Sequence, residues 1–521
     1  MTYRSYVNKK RLAAVIFALG LGLSACSSGD SQSAKDSKKG SPDAVAPIEA
    51  KMPEIPAGLE EFYNQKVSWN NCGTGLECTT FKVPLNYADP KAKTITIAAK
   101  KHKAEGKAIG SLFVNPGGPG GDGQEMAESA SQFFSDEILK NFDVIGFDPR
   151  GVGQSTPVDC LDDAQLAKQL ETSYGKTPED RAKAKQAASA LAASCGQKSG
   201  DLLKFVGTES AARDIDVMRH VLGDPRLYYV GYSYGTSLGG MYADLFPQNV
   251  GRLVLDGAVS SNATNFDQTA AQVKGFDDAL TAYLKNCIAG ENCPFKGSVE
   301  EARKQIAGLL NDSLAKPIPT SNQERPLTQA GFMLGLITPL YDDSSWPMLS
   351  RAFDQLISKN DGSLFQLFFD AYSGRKGDNF TNNSVEANWA INCADQPAMG
   401  DEAQWLQQAD KLAQIAPVFG PSYGYDENIC ASWPFQPKEK HKAYKAEGSA
   451  PIVVVGTKGD PATPYQWSVD FAKALDNSVL VTYEGEGHTA YGRSTTCVSD
   501  PIDKYLLNGT TPKDGLSCPA K

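Results

Sequence analysis

The sequence has few basic residues relative to acidic ones, few histidines and no closely spaced cysteine pairs of the C-x-x-C type. Acidic residues outnumber basic ones, and the 521 residues carry a net charge of −10. Nucleic-acid binding depends on a basic face, so this balance argues against a nucleic-acid partner. Only four histidines occur, they do not cluster in the chain, and no C-x-x-C pair is found. We therefore predict no metal site and no cofactor.

Long apolar runs are also scarce, and the notable one lies at the N-terminus. Basic residues precede "LAAVIFALGLGL", which is too short to span a bilayer by itself but is typical of a secretory signal. The run ends in "LSAC", which resembles a bacterial lipobox. We predict that residues 1–26 are a signal peptide, that Cys26 is lipidated, and that 27–60 form a flexible tether. The alternative is a signal with a chance cysteine.

The predicted export sets the redox environment of the other ten of the eleven cysteines. An even number of cysteines in an exported chain predicts disulfides. The sequence alone does not fix their connectivity, but order and proximity favour local pairs. These pairs are Cys72 with Cys78, Cys160 with Cys195, Cys287 with Cys293, Cys393 with Cys430, and Cys497 with Cys518.

Short β-branched or aromatic runs alternate with helical stretches from about residue 110, which predicts an α/β fold with a mostly parallel sheet. The predicted strands cover 111–115, 141–148, 226–233, 251–257, 451–460 and 478–488. Strand signals stop between 261 and 445, where the pattern is helical. We predict a core at 61–260 and 446–521 with a helical lid inserted at 261–445; the alternative is an independent helical domain packed elsewhere.

The pentapeptide "GYSYG" places Ser233 between a predicted strand and a predicted helix that ends at Pro247. This is the context of a nucleophile elbow, in which the serine sits on a strained turn and flanking glycines allow close backbone approach. The helix "TESAARDIDVMRHVLG" precedes it, with Thr208 as its expected cap. Ser233 is the predicted nucleophile.

A nucleophilic serine needs a base and an acid, in the chain order serine, acid, histidine. His488 follows the last predicted strand, whereas His441 is surrounded by lysines and is expected to be solvated. His488 is therefore the predicted base. Asp460 ends a predicted strand and is the predicted acid; Asp256 is the competitor, otherwise expected to be a turn residue at the start of the lid.

The loop "NPGGPGGDG", residues 115–123, follows a predicted strand and is expected to help bind the oxyanion. The predicted backbone donors are the N–H groups of Gly118 and Tyr234. Without a Lys-Ser/Thr ending, the loop does not fit a phosphate-binding site.

Five motifs now occur in order: "NPGGPGG", "DPRGVGQS", "GYSYGT", "GDPATP" and "GEGH". Together they resemble the proline iminopeptidase and tripeptidyl aminopeptidase branch of the α/β-hydrolases, over most of the chain from about 70 to 520. The first motif begins Asn-Pro, not with the histidine of cytoplasmic proline iminopeptidases, so the resemblance does not imply proline specificity. In the family "DPRG" is a structural loop, and we expect Asp148 and Arg150 to form a local ion pair.

The resemblance implies a serine aminopeptidase whose lid acids recognise the free α-ammonium of a peptide. "WAINCADQP" offers Asp395, with Glu386 nearby, and Cys393 is expected to anchor this segment through Cys430. The alternative is that both acids are solvated lid residues. We expect a monomeric extracytoplasmic enzyme that acts on peptides or proteins. Its lipid anchor is expected to be its only attachment to the bacterial membrane.

Three other functions remain open at this level. An esterase or lipase would use the same triad, an endopeptidase would not require a free N-terminus, and a binding lipoprotein would use the scaffold without catalysis. The sequence does not settle the number of residues released.

Overall fold

A ten-stranded sheet runs through the described part of the computed structural model, which comprises residues 45–423, 427–437 and 443–521. Its strand order is β1-β2-β3-β5-β4-β6-β7-β10-β11-β12. The strands β1, β2 and β3 pair antiparallel at one edge, and β3 is antiparallel to β5. Every pairing from β5 to β12 is parallel. The predicted α/β fold with a mostly parallel sheet is confirmed.

The strands have the following bounds: β1 Asn70–Gly73, β2 Leu76–Pro84, β3 Thr94–His102, β4 Ser111–Asn115, β5 Asp143–Phe147, β6 Leu227–Tyr232, β7 Val250–Asp256, β8 Arg375–Lys376, β9 Asn379–Phe380, β10 Ile452–Gly459, β11 Ser478–Glu486 and β12 Leu516–Cys518. All residues of β4, β6 and β7 are buried, as expected for parallel strands covered by helices on both faces.

The α-helices are α1 Glu60–Tyr63, α2 Gly123–Glu128, α3 Asp136–Asn141, α4 Asp163–Glu171, α5 Pro178–Ser199, α6 Thr208–Val221, α7 Tyr234–Leu245, α8 Asn265–Ala289, α9 Val299–Ala315, α10 Gln329–Ile337, α11 Trp346–Lys359, α12 Ser363–Ser373, α13 Ser384–Asp395, α14 Glu402–Ile415, α15 Glu427–Ala431, α16 Tyr465–Ala474 and α17 Thr496–Asn508. Within the residues described, none of the helices has both the length and the apolar character that a bilayer crossing requires.

A helical insertion, which we define as residues 257–451, separates β7 from β10. Its described residues contain α8 to α15 and the small hairpin β8–β9. The insertion has an apolar core of its own, in which Phe332, Leu336 and Phe353 are fully buried. This second core explains why the strand pattern stops here, since helices that pack on one another need only a stripe of apolar residues.

The N-terminal segment joins the folded body earlier than predicted. The signal peptide, Cys26 and most of the tether lie outside the described residues. The Ala46 N–H donates to the carbonyl of Leu507 at 3.0 Å, and Arg252 donates to the Ala46 carbonyl at 2.8 Å. The Ile48 N–H donates to the Tyr228 hydroxyl at 2.8 Å. A tether extending to residue 60 is therefore too long, because these backbone groups are already held by β6, β7 and α17.

All five predicted cysteine pairs form disulfides. The bridges are Cys72–Cys78, Cys160–Cys195, Cys287–Cys293, Cys393–Cys430 and Cys497–Cys518. Each joins elements that are close in the chain, so proximity in sequence was a sufficient guide to connectivity here. The bridge Cys393–Cys430 links α13 to α15 inside the helical insertion.

The predicted ion pair between Asp148 and Arg150 does not form. Fully buried Arg150 instead pairs with Asp214 on α6, with Nε and Nη2 at 2.7 and 2.6 Å from its two carboxylate oxygens. Asp148 accepts hydrogen bonds from Gln124 and from the Gln154 N–H. Adjacent loop residues were expected to pair with each other, but the two side chains point to different neighbours.

The buried pair of Arg150 and Asp214 yields a stability prediction. Replacing Asp214 with alanine leaves the guanidinium buried without its counter-charge, which costs about 3–5 kcal/mol of unfolding free energy. We expect the Asp214→Ala variant to show this loss in urea unfolding of the purified protein at pH 7. Glu179→Ala, which removes an exposed partner of Lys183, is the control and should leave the unfolding midpoint unchanged. A small effect of Asp214→Ala would contradict the pairing.

Candidate active site

Ser233 lies on a strained turn between β6 and α7. Its backbone has φ 56° and ψ −123°, a conformation that costs a side-chain-bearing residue free energy. A Cβ on Gly231 would lie 2.3 Å from the Gly235 carbonyl oxygen, and one on Gly235 would lie 2.8 Å from the Asn115 carbonyl oxygen. Both glycines of the predicted elbow are therefore required sterically. The Ser233 N–H donates to the Asp256 carbonyl at 2.9 Å, which fixes the turn to β7.

Asp460 and His488 meet at the carboxyl ends of β10 and β11. The Nδ1 atom of His488 lies 2.9 Å from both carboxylate oxygens of Asp460. An ionised carboxylate only accepts, so Nδ1 carries the proton and Nε2 is left as the basic nitrogen of the neutral ring. The structure thus brings together the predicted acid and base, and the register of two parallel neighbouring strands is what aligns them.

The Asp460 carboxylate is held ionised by its surroundings. It accepts from the Thr463 and Thr489 N–H groups at 2.8 and 3.1 Å, and from the Thr463 hydroxyl at 2.9 Å. Burial alone would raise the pKa of Asp460, but the charge and hydrogen bond of His488 and these backbone donors outweigh it and lower the pKa below its ordinary value. The carboxylate is therefore available as a fixed negative charge beside the imidazole.

Two neighbours of His488, Thr463 and Tyr341, lie outside the predicted triad. The Thr463 hydroxyl lies 3.2 Å from Nδ1 and bridges it to Asp460. The Tyr341 carbonyl accepts the His488 N–H at 2.7 Å, and the two rings lie 5.4 Å apart edge to face. The position of Thr463 beside Asp460 in "GDPATP" was a signal for the first. No motif near Tyr341 in the sequence indicates its contact with His488, because Tyr341 comes from the helical insertion.

The glycine loop after β4 lies directly against Ser233. A Cβ on Gly117 would come within 2.8 Å of the Ser233 Cβ, and the Gly117 N–H donates to the Asn115 side chain at 3.0 Å. Neither the Gly118 N–H nor the Tyr234 N–H has a protein acceptor within the described parts of the chain. Gly118 has φ 108°, a conformation that favours glycine. The loop and the start of α7 therefore present two N–H donors beside Ser233 that have no acceptor among the described residues.

Asp256 is the last residue of β7 and not a solvated turn residue. Its side chain is fully buried and accepts the N–H groups of Ala490 and Tyr491 at 2.8 and 2.7 Å. Burial raises the pKa of Asp256 to about 6, despite these donors and the positive charges of Arg493 and His488. The competitor for the role of acid therefore holds the loop that follows His488, while Asp460 contacts the imidazole.

A cavity of about 510 Å³ opens between Ser233 and the helical insertion. It is lined by Ser233, Gly118 and Tyr234 from the core and by residues of α8, α10, α12, α13 and α15. Its charged lining consists of two acids, Asp395 and Glu427, and no lysine, arginine or histidine among the residues described. Both acids are carried by the helical insertion, Asp395 on α13 and Glu427 on α15.

Asp395 is connected to the nucleophile elbow through hydroxyl groups. It accepts from the Thr208 N–H and Oγ1 at 2.7 and 2.5 Å, and Thr208 Oγ1 is hydrogen-bonded to the Tyr234 hydroxyl at 2.6 Å. Thr208 is the first residue of α6, which Gly207 caps, so the threonine does not act as the expected helix cap. Its side chain binds Asp395 instead and fixes the carboxylate on the Tyr234 side of the cavity.

The structure does not place Glu386 in the cavity. Its carboxylate accepts the N–H groups of Leu161 and Cys160 at 2.8 and 3.2 Å, and the side chain is buried. It therefore connects α13 to a core loop and is not positioned to bind substrate. Glu427, which sequence reasoning missed, is the second cavity acid, and it lies three residues before Cys430 of the disulfide to Cys393.

His102 and His220 are separate from this site. His102 ends β3 and His220 lies on α6, where its ring packs edge to face against Tyr63 at 5.1 Å. Neither lines the cavity, and His441 lies outside the described residues. Over the described ranges, no group of three or more His, Cys, Asp or Glu side chains is arranged to hold a metal ion.

Comparisons with known proteins agree with the observed fold. A family model described as alpha/beta hydrolase fold matches residues 110–298, and one described as TAP-like protein matches 416–518. Serine protease Hip1 of Mycobacterium tuberculosis is 35% identical over 88% of this chain and 92% of its own length. Carboxylesterase B of the same species is 33% identical (87% and 89%), and tripeptidyl aminopeptidase of Streptomyces coelicolor is 28% identical (87% and 86%).

The buried Asp256 carboxyl yields a prediction about pH and stability. Its pKa is about 6 in the fold and about 3.9 in an unfolded chain, so the folded state binds the extra proton between these values. The resulting stabilisation is complete below pH 4 and is lost as the pH rises through 6. Asp256→Asn removes this dependence. We subtract the unfolding free energy of the wild type from that of the variant at each pH. We expect this difference to be about 1–3 kcal/mol more favourable to the variant at pH 7 than at pH 4, measured by urea unfolding at each pH.

The pH-independent cost of the substitution cancels when each variant is compared with itself at the two pH values. A difference between variant and wild type that stays constant over this range would show that Asp256 is ionised throughout and would contradict its raised pKa.

Proposed function

This chain belongs to the TAP-like family of α/β-hydrolases and is a serine hydrolase of the peptidase type, and we propose that it is an exported, lipid-anchored aminopeptidase. The observation that carries the proposal is the pair of carboxylates, Asp395 and Glu427, in a cavity that also contains Ser233. A peptide with a free N-terminus brings the matching ammonium group.

The reaction begins with proton transfer from Ser233 Oγ to Nε2 of His488 as Oγ attacks the peptide carbonyl. Asp460 keeps the proton of the ring on Nδ1 and stabilises the imidazolium that forms. The N–H groups of Gly118 and Tyr234 stabilise the negative charge on the former carbonyl oxygen. These donors have no protein acceptor in the described chain, so they are available when the oxyanion develops.

The intermediate then collapses and the leaving amine takes the proton from Nε2 of His488. The amino-terminal fragment stays on Ser233 as an ester. A water molecule, deprotonated by the same nitrogen, hydrolyses this acyl-enzyme and restores the serine. No step requires a group that this chain lacks.

The α-ammonium of the substrate is proposed to bind at Asp395 and Glu427. A buried cation is costly unless carboxylates or carbonyls compensate its lost hydration. The Thr208 hydrogen bonds hold the Asp395 carboxylate on the Tyr234 side of the cavity. The disulfide Cys393–Cys430 joins the helices that carry the two acids, which supports a fixed spacing between them. We infer that the helical insertion acts as a lid that supplies this recognition.

Export and anchoring rest on the N-terminal sequence. The short apolar run before Cys26 and the polar stretch after it support a lipidated cysteine as the mature N-terminus. The five disulfides support maturation in an oxidising compartment. We propose an extracytoplasmic location on the bacterial cell membrane, with contact to the bilayer through the lipid alone.

An esterase is the second candidate, favoured by the 33% identity to a protein named carboxylesterase B. An ester substrate without an ammonium group offers no cation to the two cavity acids. Cleavage of p-nitrophenyl esters alone, with no hydrolysis of aminoacyl or tripeptidyl nitroanilides, would therefore favour this candidate over the aminopeptidase. A binding protein without catalysis would cleave neither.

The proposal predicts a strong dependence on the free N-terminus. We expect a tripeptidyl nitroanilide to be hydrolysed with a kcat/KM about 10- to 100-fold higher than its N-acetylated form, the range for losing a hydrogen bond between charged groups. Asp395→Asn should lower kcat/KM for the free substrate by a similar factor, mainly through KM, and leave the acetylated substrate unaffected. The measurement is the ratio of the two kcat/KM values in each variant.

Glu386→Gln is the matched control, because this acid lies on the same helix but outside the cavity. It should keep the wild-type ratio. Equal hydrolysis of free and acetylated substrates by the wild type would overturn ammonium recognition and point to an endopeptidase.

A further inference from the structure

The cavity has two walls of different chemistry. One is polar and carries Asp395 and Glu427. The other is apolar and aromatic, and we call it the apolar wall. It consists of Phe276, Leu334, Ile337, Tyr341, Tyr372 and Tyr423. The function proposed above uses the acidic wall and leaves the apolar wall without a role.

The apolar wall lies beside the base. The Tyr341 ring contacts the His488 ring edge to face at 5.4 Å, and the Tyr341 carbonyl holds the His488 N–H at 2.7 Å. Phe276 continues the wall, with its ring 5.4 Å from that of Tyr341. Ile337 is four residues before Tyr341, at the end of α10. Tyr341 therefore joins the wall to His488 by both a side-chain and a backbone contact.

The acidic wall lies beside the oxyanion donor. Hydrogen bonds of 2.5 and 2.6 Å connect Asp395 through Thr208 to the hydroxyl of Tyr234, the residue whose N–H faces the oxyanion. A substrate with its ammonium group at Asp395 thus extends its acyl portion along this side. The leaving portion of the substrate must then depart on the other side, past His488.

The chemistry of proton transfer fixes which part of the substrate meets the apolar wall. The leaving nitrogen takes its proton from Nε2 of His488, so it must come within hydrogen-bonding distance of that atom. The side chain of the residue that contains this nitrogen is one Cα away. We call this residue the first leaving residue.

We propose that the apolar wall is the subsite for the side chain of the first leaving residue, so that the enzyme prefers peptides with a large apolar residue directly after the scissile bond. The proposal rests on the aminopeptidase function above. Leu334 is only half-buried and Tyr372 is 45% exposed although both line the cavity. Their apolar surface is thus free to be covered by substrate, unlike that of fully buried Leu336 on the same helix as Leu334.

The proposed subsite acts on one step of the reaction only. The leaving peptide departs when the acyl-enzyme forms, so the wall affects acylation and has no contact with the fragment that water later releases. A nitroanilide has no first leaving residue and reports on the acyl side alone. These two substrate types therefore separate the apolar wall from the acidic wall.

The test compares two peptides that share one free N-terminal tripeptide and differ only in the next residue, phenylalanine or glycine. Burial of a large apolar side chain predicts about a 10- to 100-fold higher kcat/KM for the phenylalanine peptide. Leu334→Gln should reduce this preference by about threefold or more. Leu367→Gln, which changes a leucine that is 59% exposed on α12 outside the cavity, is the matched control and should retain it.

Two results would overturn the subsite. One is equal cleavage of the two peptides by the wild type. The other is a change, in Leu334→Gln, of the preference among nitroanilides that differ in the residue before the scissile bond, which would assign the wall to the acyl side. Failure of the aminopeptidase proposal looks different: acetylated and free peptides would then be cleaved equally, with either phenylalanine or glycine after the scissile bond.

Discussion

The strained backbone of Ser233 is the constraint on which the site depends. A positive φ at a serine is tolerated only where its surroundings hold it, and here β7 supplies the acceptor for the Ser233 N–H while Gly231 and Gly235 leave room for the turn. The same turn begins α7, so the Tyr234 N–H is left without a helical acceptor. One local conformation thus presents the Ser233 hydroxyl and leaves an N–H donor next to it, as the proposed reaction requires.

The other parts of the site are set by the parallel sheet. Asp460 and His488 follow neighbouring strands, so the register of β10 and β11 brings them together at 2.9 Å. The glycine loop follows β4, which pairs with β6 ahead of Ser233. Because parallel strands end at one edge, residues far apart in sequence converge there. The helical insertion then closes the space above this edge and gives it an acidic and an apolar wall.

This division explains how much the sequence could predict. Strands buried on both faces have continuous apolar runs, so they can be predicted. The motifs at their ends indicate Ser233, Asp460 and His488 through residue type and order in the chain. The edge strands β1 and β12 are short, and β1 is largely exposed, so their apolar pattern is weak. The sequence indicated both Asp395 and Glu386, and only the folded helix shows which of the two acids lines the cavity. Glu427 and Tyr341 come from distant segments, and no motif indicates them. Arg150 pairs with a carboxylate on α6. A buried guanidinium needs a counter-charge that is close in space, and that charge need not be close in the chain.

Reaction of the folded protein with a fluorophosphonate probe shows directly whether Ser233 is the nucleophile. We expect one adduct per folded molecule, mapped to Ser233 by peptide mass spectrometry, absent in Ser233→Ala and formed more slowly in His488→Gln. An adduct on another serine, or no adduct in the folded protein, would contradict it.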